Sequence, residues 1–307
     1  MNITLKQLKT LQAVVEHHSY TKAAKVLFMT QPAVSMQIKQ MEEQIEMPLF
    51  ERDGKQVALT EAGHELLHYA QNIRQQLNEA SEMLEELKGL KRGKLHLTMA
   101  STANYFAPQL IAAFHHQYPG AKVTLDVANR TGLIDALNNN NSDMVIMGKP
   151  PKSNKLIGIP FMDNPLVAIA APSHPLASRK HIPLKELADE PFIVREADSG
   201  TRIAVERFFA RHDLQLTIGM EMNRSEAIKQ AVMAELGLGI VSLHTIEMEL
   251  ALKRLVILHI EDFPIMRRWH IVHRKGKRFA AIPEAFKQFV VENTEELLDI
   301  SHWEGYA

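Results

Sequence analysis

Amide and hydroxyl side chains gather on one face of a short segment near the N-terminus, where they could recognise a hydrogen-bonding surface. Val34, Ile38 and Met41 recur at intervals of four and three, which predicts a helix whose apolar face meets a core. Glutamine can bond adenine with two hydrogen bonds, and a serine hydroxyl can bond a base or a phosphate. The face opposite the apolar one carries four polar residues, namely Gln31, Ser35, Gln37 and Lys39.

A basic hairpin is predicted shortly after that helix. Asp53-Gly54 is a strong turn signal, and the basic residues Arg52 and Lys55 flank it. Basic side chains at a hairpin tip suit contact with phosphates or with the minor groove of DNA. Two short helices, a tight turn and such a hairpin are typical of a winged helix-turn-helix. The alternative is a plain three-helix domain whose polar face meets only water.

Two turns in the second half of the chain could bind an anion. Residues 100–104 follow a predicted strand at 94–99, and residues 198–202 follow another at 192–195. Each turn offers hydroxyls and free backbone N–H groups at the start of a helix, which suits a carboxylate or a phosphate. Arg202 would add a planar donor for bidentate contact with the anion.

A third helix start, at residues 129–131, lies in the same predicted layer and could contribute to a shared cleft. The alternative is that these side chains are ordinary helix caps, which any helix favours. The candidate anion-binding residues are Ser101, Thr102, Asn104, Asn129, Arg130, Thr131, Ser199, Thr201 and Arg202.

The sequence shows no spacing of residues that is typical of a catalytic site or a metal site. Cysteine is absent from the 307 residues, which excludes disulfides, thiolate nucleophiles and cysteine-ligated zinc. The pairs His17-His18 and His115-His116 are adjacent rather than four apart, so their members lie on different helix faces. We expect no enzyme, no metal site, and no cofactor other than a small-molecule effector.

A heptad repeat of apolar residues occupies the segment that joins the two halves of the chain. A helix over residues 61–90 would be about 45 Å long, too long to hide its stripe within a sixty-residue domain. The pattern therefore predicts pairing with a second copy of the chain. The alternative is packing along the rest of the same chain. The repeat consists of Leu66, Ala70, Ile73, Leu77, Ala80, Leu84 and Leu87.

The pattern changes near residue 94, from almost continuous helix to short strands that alternate with amphipathic helices. This alternation predicts parallel βαβ units covered on both faces. Gly89 and Gly93, on either side of Lys91-Arg92, predict a hinge at the change. Strands are predicted at residues 94–99, 122–127, 144–147, 166–171, 192–195, 217–222, 239–242 and 269–273.

Composition places the chain among ordinary globular proteins, with 46% hydrophobic and 23% charged residues. The net charge is −1, so any affinity for DNA must come from a local basic patch. No run of about eighteen apolar residues is present, and the N-terminus lacks the pattern of a secretory signal. We expect a cytoplasmic protein of two or three domains without a membrane partner.

Ordered motifs across the first sixty residues closely resemble the LysR-type transcriptional regulators. They lie at residues 8–15, 19–24, 30–39, 49–52 and 59–63. The resemblance implies a winged helix-turn-helix, although many members have a basic residue where this chain has Met36. It places Gln31, Pro32, Ala33, Ser35 and Gln37 near the DNA and Arg52 in the wing. The complete candidate DNA-binding set adds Thr30, Met36, Lys39 and Lys55.

The same resemblance implies an α/β protein overall, in three parts. An all-α winged helix-turn-helix domain occupies residues 1–60, and a linker and dimerisation helix occupies residues 61–92. Residues 93–307 form a two-lobed α/β effector domain like that of periplasmic binding proteins. In it, lobe I comprises residues 93–162 and 267–303, and lobe II comprises residues 163–266. The chain is expected to cross between the lobes at 161–165 and 263–267.

Residues 100–108, 199–202 and 206–209 are most similar to the CbbR branch, whose members regulate RuBisCO operons. That resemblance implies a cytoplasmic activator, controlled by a phosphorylated or nucleotide metabolite, that acts on a dyad-symmetric DNA operator. The family implies a dimer or homotetramer and a contact with RNA polymerase. The alternatives are a LysR-type regulator of another metabolic regulon, a two-lobed solute-binding protein, or a small α/β enzyme with a helical module.

Overall fold

The computed structural model describes residues 2–53, 56–87 and 93–298. The chain divides into two compact units, Met1–Glu82 and Met83–Ala307. None of the helices in these described ranges is long and apolar enough to cross a membrane.

The first unit is a three-helix domain followed by a hairpin and a long helix. Its elements are α1 (Leu5–His17), α2 (Tyr20–Val26), α3 (Gln31–Ile45), β1 (Phe50–Asp53), β2 (Gln56–Leu59) and most of α4 (Glu61–Leu87), a helix that continues into the second unit. The core is made by the apolar faces of the first three helices, with Leu11, Val14, Val34, Ile38 and Met41 almost fully buried. The periodicity that predicted α3 therefore reflects its contact with α1 and α2.

Local capping explains where two of these helices begin. At α1, Thr4 and Gln7 form a reciprocal capping box, and at α2 the Ser19 hydroxyl accepts a hydrogen bond from the backbone N–H of Lys22. At the start of α3 the Thr30 side chain makes no capping hydrogen bond. Pro32 stabilises that start instead, since proline in the first turn of a helix has no N–H to leave unpaired.

The predicted hairpin is present as two antiparallel strands, β1 and β2, in which Phe50 pairs with Leu59 and Asp53 with Gln56. Residues 54–55, at the predicted turn, lie outside the described residues, as do residues 88–92 at the predicted hinge. Helix α4 follows directly and contains 27 residues, which corresponds to about 40 Å.

The second unit contains two five-stranded sheets, each covered by helices, and we call the parts built on them lobe I and lobe II. Lobe I contains β3 (Gly93–Ala100), α5 (Ala107–Gln117), β4 (Ala121–Ala128), α6 (Arg130–Asn138), β5 (Met144–Met147), β6 (Leu156–Asp163), β12 (Arg268–Arg274) and α11 (Ala281–Leu297). Its strand order is β4-β3-β5-β12-β6. The core of this lobe lies between the sheet and the helices α5 and α11, around Phe114, Trp269 and Phe286.

Lobe II contains β7 (Leu166–Ala170), α7 (Leu184–Ala188), β8 (Pro191–Arg195), α8 (Gly200–Arg211), β9 (Thr217–Met222), α9 (Ser225–Met233), β10 (Leu238–Ser242), α10 (Glu247–Ala251) and β11 (Val256–Ile257). Its strand order is β11-β7-β10-β8-β9. Core residues lie on both faces of the sheet, with Phe192 and Phe209 on one face and Ile169 and Val232 on the other.

The predicted parallel units are present, since β3 pairs parallel with β4 and β5, and β8 pairs parallel with β9 and β10. Both sheets also contain antiparallel pairs. Strand β12 runs antiparallel to β5 and β6, and β10 runs antiparallel to β7. Sequence patterning missed β6, because Gly158 and Pro160 interrupt it. It is an edge strand, where proline is tolerated, and the register with β12 shifts beside Pro160. Phe161, expected in a crossing segment, lies within β6.

The chain passes between the sheets twice, and the two passages are bonded to each other. The backbone N–H of Asn164 donates to the carbonyl of Arg267 at 2.8 Å, and Leu166 and Ile265 exchange two further backbone hydrogen bonds. The Ser242 hydroxyl donates to the side-chain carbonyl of Asn164 at 2.7 Å. The two crossing segments therefore form a joined pair at the boundary of the lobes, and they fix the position of the Arg267 backbone.

Candidate functional site

The predicted contact residues on the outward face of α3 differ in exposure, and some are exposed whereas others are half-buried. Gln31 is exposed, and its amide donates a hydrogen bond of 2.8 Å to the hydroxyl of Ser35. Lys39 is also exposed and lies 3.7 Å from Glu43, a solvent-screened pair. Met36 is 57% exposed between them. This face thus offers an amide, a hydroxyl, a thioether and an ammonium group. The neighbouring Thr30 and Pro32 are exposed, and Ala33 and Ser35 are half-buried.

Gln37 departs from the expectation that it is free on the outer face. It is half-buried, and its side-chain carbonyl accepts a hydrogen bond from the buried hydroxyl of Thr10 in α1. This bond fixes the Gln37 side chain against α1 and leaves its amide NH2 group as the donor available to a ligand. Sequence periodicity could not detect it, because Thr10 and Gln37 are 27 residues apart.

The structure describes only part of the predicted wing. The backbone of Arg52 lies in β1, where it pairs with Val57. The side chain of Arg52 and the whole of Lys55 lie outside the described residues.

The heptad repeat of α4 divides into a covered and an exposed part. Leu66 packs against the core of the first unit and Ala70 is buried, so these two residues are covered within their own chain, contrary to expectation. Further along the helix, Leu77 is 49% exposed and Leu84 is 59% exposed. Ile73 and Ala80 are exposed as well, whereas the side chain of Leu87 lies outside the described residues. The apolar stripe that is open to solvent therefore covers residues 73–84.

A small cavity of about 40 Å³ lies between the lobes. Two helices begin beside it, α6 of lobe I and α8 of lobe II. The side chain of Asn129 caps α6 by accepting from the N–H of Gly132 at 2.9 Å, and the Ser199 hydroxyl caps α8 by accepting from Thr201 at 3.3 Å. The positive ends of two helix dipoles therefore meet at this interlobe cleft.

Six of the nine predicted anion-binding residues line the interlobe cleft: Ser101, Thr102, Asn129, Arg130, Ser199 and Thr201. Asn104 is exposed and lies outside it. Thr131 lies at its edge, where its hydroxyl donates to the carboxylate of Asp198 at 2.8 Å, and the amide of Asn129 donates to the same carboxylate at 3.3 Å. These two bonds join lobe I to lobe II.

Arg202 does not take the role that the sequence predicted. It is buried, its guanidinium donates to the backbone carbonyl of Arg195 and pairs with Glu206, and it contributes nothing to the lining of the interlobe cleft. On α8 its position faces β8 rather than the cleft. Arg202 therefore attaches α8 to its own sheet, and the expectation of an anion-binding fork at this residue was wrong.

Besides the predicted Arg130, a guanidinium that the sequence analysis did not identify lines the interlobe cleft, that of Arg267 in the second crossing segment. Arg267 lies against Gly148, and the two guanidinium groups of Arg267 and Arg130 both lie within 3.9 Å of the point where a Cβ of Gly200 would be. Burial and the nearby charges of Arg130 and Arg207 lower the pKa of Arg267 to about 10. Burial, and then the charge of Arg207, lower the pKa of Arg130 against the attraction of Asp198. Two cations thus converge on the start of α8.

Trp269 also lines the interlobe cleft and was missed by the sequence analysis. Its side chain is buried, and its indole Nε1–H has no hydrogen-bond partner among the described residues. An unpaired buried donor is costly, so a ligand acceptor at this position would stabilise the site. The one carboxylate in the lining, that of Glu196, accepts two hydrogen bonds of 2.7 Å from the buried Arg195, which compensates its charge.

Family models match both halves of the chain. The bacterial regulatory helix-turn-helix protein model of the lysR family matches residues 5–64, and the LysR substrate binding domain model matches residues 88–295. The chain belongs to the LysR family of transcriptional regulators. It is therefore a DNA-binding regulator and not an enzyme, as the sequence analysis expected, and both the family and the fold class are confirmed.

Similar proteins cover this LysR-type regulator over nearly its whole length. It is 50% identical to a RuBisCO operon transcriptional regulator of Allochromatium vinosum, over 97% of this chain and 98% of the relative. It is 40% identical to the HTH-type transcriptional activator CmpR of a Synechocystis strain, over 96% and 97% respectively.

Two solved structures resemble this LysR-type regulator, one over 66% of the chain and the other over 94%. The CcmR regulatory domain of Synechocystis PCC6803, solved in complex with 2-PG, is 41% identical with a TM-score of 0.64 and covers 66% of this chain and 98% of that domain. Full-length CbnR in complex with its target DNA is 21% identical with a TM-score of 0.71, over 94% and 98%, and shares the fold.

The geometry of the second unit favours ligand binding over chemistry. The interlobe cleft combines two helix N-termini, hydroxyls, an indole N–H and two arginines, Arg130 and Arg267, besides the Arg195 that is paired with Glu196. All of these groups are hydrogen-bond donors. Within the described part of the chain, no group of three or more acidic or histidine side chains could hold a metal ion. The arrangement is chemically suited to bind an anion.

Proposed function

We propose that this LysR-type regulator controls carbon-fixation genes, including a RuBisCO operon, in response to a small phosphorylated carboxylate bound between its lobes. The supporting relatives are the RuBisCO operon regulator at 50% identity and the activator CmpR at 40%. The best candidate effector is 2-phosphoglycolate, the 2-PG bound by the CcmR regulatory domain.

The observation that carries the effector proposal is the convergence of Arg130 and Arg267 at the N-terminus of α8. Both guanidinium groups lie within 3.9 Å of one point at Gly200, and no carboxylate lies within ion-pair distance of either group among the described residues. An anion placed there would accept from two planar donors and from the backbone N–H groups of the helix start. Ser101, Thr102, Ser199 and Thr201 would add hydroxyl donors around it.

Effector binding would have to open the interlobe cleft, because its volume is about 40 Å³ and sites for organic ligands span roughly 300–1,000 Å³. The hydrogen bonds of Asp198 to Thr131 and Asn129 hold the lobes together at the cleft edge. A ligand that binds the open arrangement more tightly shifts the population toward it. The effector would thereby change the spacing of the lobes.

The DNA-binding part of the proposal uses the exposed face of α3. The N-terminal residues of a recognition helix contact base edges in the major groove, and these residues are Thr30, Gln31, Pro32, Ala33, Ser35, Met36, Gln37 and Lys39. The amides of Gln31 and Gln37 would form hydrogen bonds with base edges, and the hairpin residues Arg52 and Lys55 would contact phosphates.

Two copies of the chain would pair through the exposed stripe of α4 and so present two recognition helices to a dyad-symmetric operator. Half-sites are then about one helical turn apart, or a multiple of it. Two such dimers would form the tetramer, which acts in the cytoplasm and contacts RNA polymerase as an activator.

The test is a pair of linked titrations on the full-length protein. Operator affinity is measured by fluorescence anisotropy with an inverted-repeat duplex from the DNA upstream of the carbon-fixation genes, with and without 2-phosphoglycolate. Calorimetry then measures 2-phosphoglycolate affinity with and without that duplex. Each ligand should change the affinity of the other by the same factor, and glycolate, which lacks the phosphate, should change neither. Equal affinity for random and inverted-repeat duplex, or a failure of 2-phosphoglycolate to bind, would overturn the proposal.

A further inference from the structure

One edge of the sheet in lobe I lies far from the interlobe cleft. Strands β3, β4 and β5 begin at this edge, and β6 begins there too, because it runs antiparallel to β12, which ends there. Strand β12 extends from Arg268, beside the second crossing segment, to Arg274. At about 3.3 Å per residue, the edge is therefore about 20 Å from the crossing segment.

Five exposed cations lie at these strand ends, and we call them the basic edge: Lys94 in β3, Lys122 in β4, Lys155 just before β6, and Lys275 and Arg278 just after β12. Lys94 and Lys122 pair in register, and the backbone N–H of Lys275 donates to the carbonyl of Lys155 at 2.8 Å. Since neighbouring strands are about 4.8 Å apart, five strands spread these cations along about 20 Å.

The charge of the basic edge is not compensated by carboxylates. Among the described residues, none of its five side chains forms an ion pair. The carboxylate of Asp143, just before β5, is already paired with Lys277 at 3.0 Å and accepts from the backbone N–H of His96 at 2.8 Å. Lys277 is only 5% exposed, so that pair belongs to the interior. A surface with cations of one sign attracts anions.

Neutral hydrogen-bonding groups lie beside these cations. Residues 138–141 are four asparagines between the end of α6 and the start of β5, and Asn138 and Asn141 are exposed. Amide side chains bond phosphate oxygens in protein–DNA complexes. The turn after β12 contains Gly276 at a φ of 77°, and a Cβ built on it meets nothing within 4 Å. This turn is therefore open to a large ligand.

The unit that contains the helix-turn-helix brings no excess of positive charge to DNA. Residues 5–64, which match the helix-turn-helix model, contain seven basic and seven acidic residues. The whole first unit, Met1–Glu82, contains eight basic and ten acidic residues. Most sequence-independent affinity for DNA comes from cations that neutralise phosphates. Additional cations outside the first unit would therefore strengthen DNA binding.

We propose that the basic edge is a second DNA-contacting surface, which binds backbone phosphates outside the half-sites occupied by α3 and the hairpin. A row of about 20 Å corresponds to roughly six nucleotides of one strand, at 3.4 Å each. Contacts with phosphates position a protein on the duplex without reading its sequence. The inference depends on DNA binding by the LysR family, and not on the effector or the operon.

Two double variants with the same change in net charge isolate the effect of position. Lys275→Gln/Arg278→Gln removes two exposed cations of the basic edge, neither of which forms an ion pair among the described residues. Lys185→Gln/Arg254→Gln removes one exposed lysine and one exposed arginine of lobe II and is the matched control. Both variants should keep the thermal midpoint of wild type and its affinity for 2-phosphoglycolate, which shows that the second unit is folded.

The experiment measures the affinity of full-length protein for two duplexes by fluorescence anisotropy over a series of NaCl concentrations. The short duplex ends at the outer edges of an inverted repeat, and the long duplex extends it by two helical turns on each side. On the long duplex, Lys275→Gln/Arg278→Gln should bind roughly three- to tenfold more weakly than wild type. Its slope of log affinity against log salt should fall by about 2 for each chain in contact. On the short duplex it should match wild type, and the control should match wild type on both.

A third variant, Lys155→Gln, tests the same surface from the neighbouring strand and should lower the slope by about 1 for each chain in contact. The proposal is overturned if the edge variant and the control have equal slopes on the long duplex, in which case the basic edge fits an acidic protein instead. Equal losses on the short and long duplexes would also overturn it. The edge variant should still prefer inverted-repeat to random duplex of the same length. Absence of that preference in wild type would contradict the proposed function, so the two failures are distinguishable.

Discussion

The guanidinium of Arg267 lies directly against the backbone of Gly148, at the point where any other residue would have its Cβ. A Cβ built on Gly148 overlaps Nη2 of Arg267 and lies 3.1 Å from its Cζ. Glycine at position 148 is thus what allows an arginine from the second crossing segment to reach the interlobe cleft. The two residues are 119 positions apart in the chain, and they act as one unit.

Gly148→Ala should therefore weaken binding of 2-phosphoglycolate by roughly tenfold, equivalent to about 1.4 kcal/mol. The added methyl group forces the Arg267 side chain out of its position, and the arginine then no longer converges with Arg130. Because the displaced group is the flexible end of a side chain, the free energy of unfolding should change by less than about 1 kcal/mol. Calorimetry and thermal unfolding measure the two quantities.

A double-mutant cycle separates this explanation from a general disturbance of the cleft. If Gly148 acts only by admitting Arg267, then adding Gly148→Ala to Arg267→Met should cause no further loss of affinity. An additive loss in the double variant would contradict the explanation.

The contrast between Arg202 and Arg267 shows what limits prediction of such a site from sequence. Arg202 was expected to bind an anion because it follows a cap residue, Ser199, in an apparent helix start. Helix starts and caps depend on neighbours in sequence, and the starts of α6 and α8 were predicted within one residue. The direction of a side chain on the helix depends on the sheet behind it, which single-sequence patterning does not reveal.

Arg267 had no local signal, since it lies in an irregular crossing segment that shows no periodicity. Its importance comes from Gly148 and Arg130, which are distant in sequence. Strand β6 was missed for a related reason, because Gly158 and Pro160 break the alternation by which strands are recognised. Elements with regular patterns, such as α3 and β9, were predicted closely, whereas long-range contacts were not.

Gln31→Ala should reduce operator affinity by roughly 1–3 kcal/mol, or about 5- to 150-fold, if its amide bonds a base edge. The affinity of the Gln31→Ala protein for random duplex should change much less, since that binding comes from phosphate contacts. Fluorescence anisotropy with the two duplexes measures both. Gln76→Ala, at an exposed position on α4, is the control and should bind both duplexes as wild type does. Equal losses on both duplexes would show that Gln31 contacts only the backbone.

Leu77→Glu should dissociate the dimer that we propose. Leu77 is half-exposed in the apolar stripe of α4, and a charge buried in a coiled-coil seam costs several kcal/mol without a partner. Sedimentation velocity should show a monomer at micromolar concentration. Operator affinity should also fall, because two linked DNA-binding domains no longer contact the two half-sites together. Gln76→Glu introduces the same charge at the neighbouring exposed residue and should leave the oligomer intact. An unchanged sedimentation coefficient for Leu77→Glu would place the interface elsewhere.

Acidification should destabilise the second unit in part through His244. Burial lowers the pKa of this histidine below 6.5, although the carbonyl of Asp163, 2.9 Å from Nε2, opposes the shift. In the unfolded chain His244 takes up a proton as pH falls through about 6.5, whereas in the folded chain it stays neutral to a lower pH. The unfolded state then binds more protons, so stability is lost as pH decreases from about 7 toward 5. His270 and His273, whose pKa values are also lowered by burial, act in the same direction.

His244→Gln should therefore reduce the loss of thermal midpoint between pH 7 and pH 5.5, even if the variant is less stable than wild type at pH 7. Differential scanning calorimetry across this range measures the slope. The control is His116→Gln, at an exposed position on α5, which should keep the slope of wild type. A slope that is the same in all three proteins would mean that protonation of His244 does not differ between the folded and unfolded states. The acid sensitivity would then have to come from other groups.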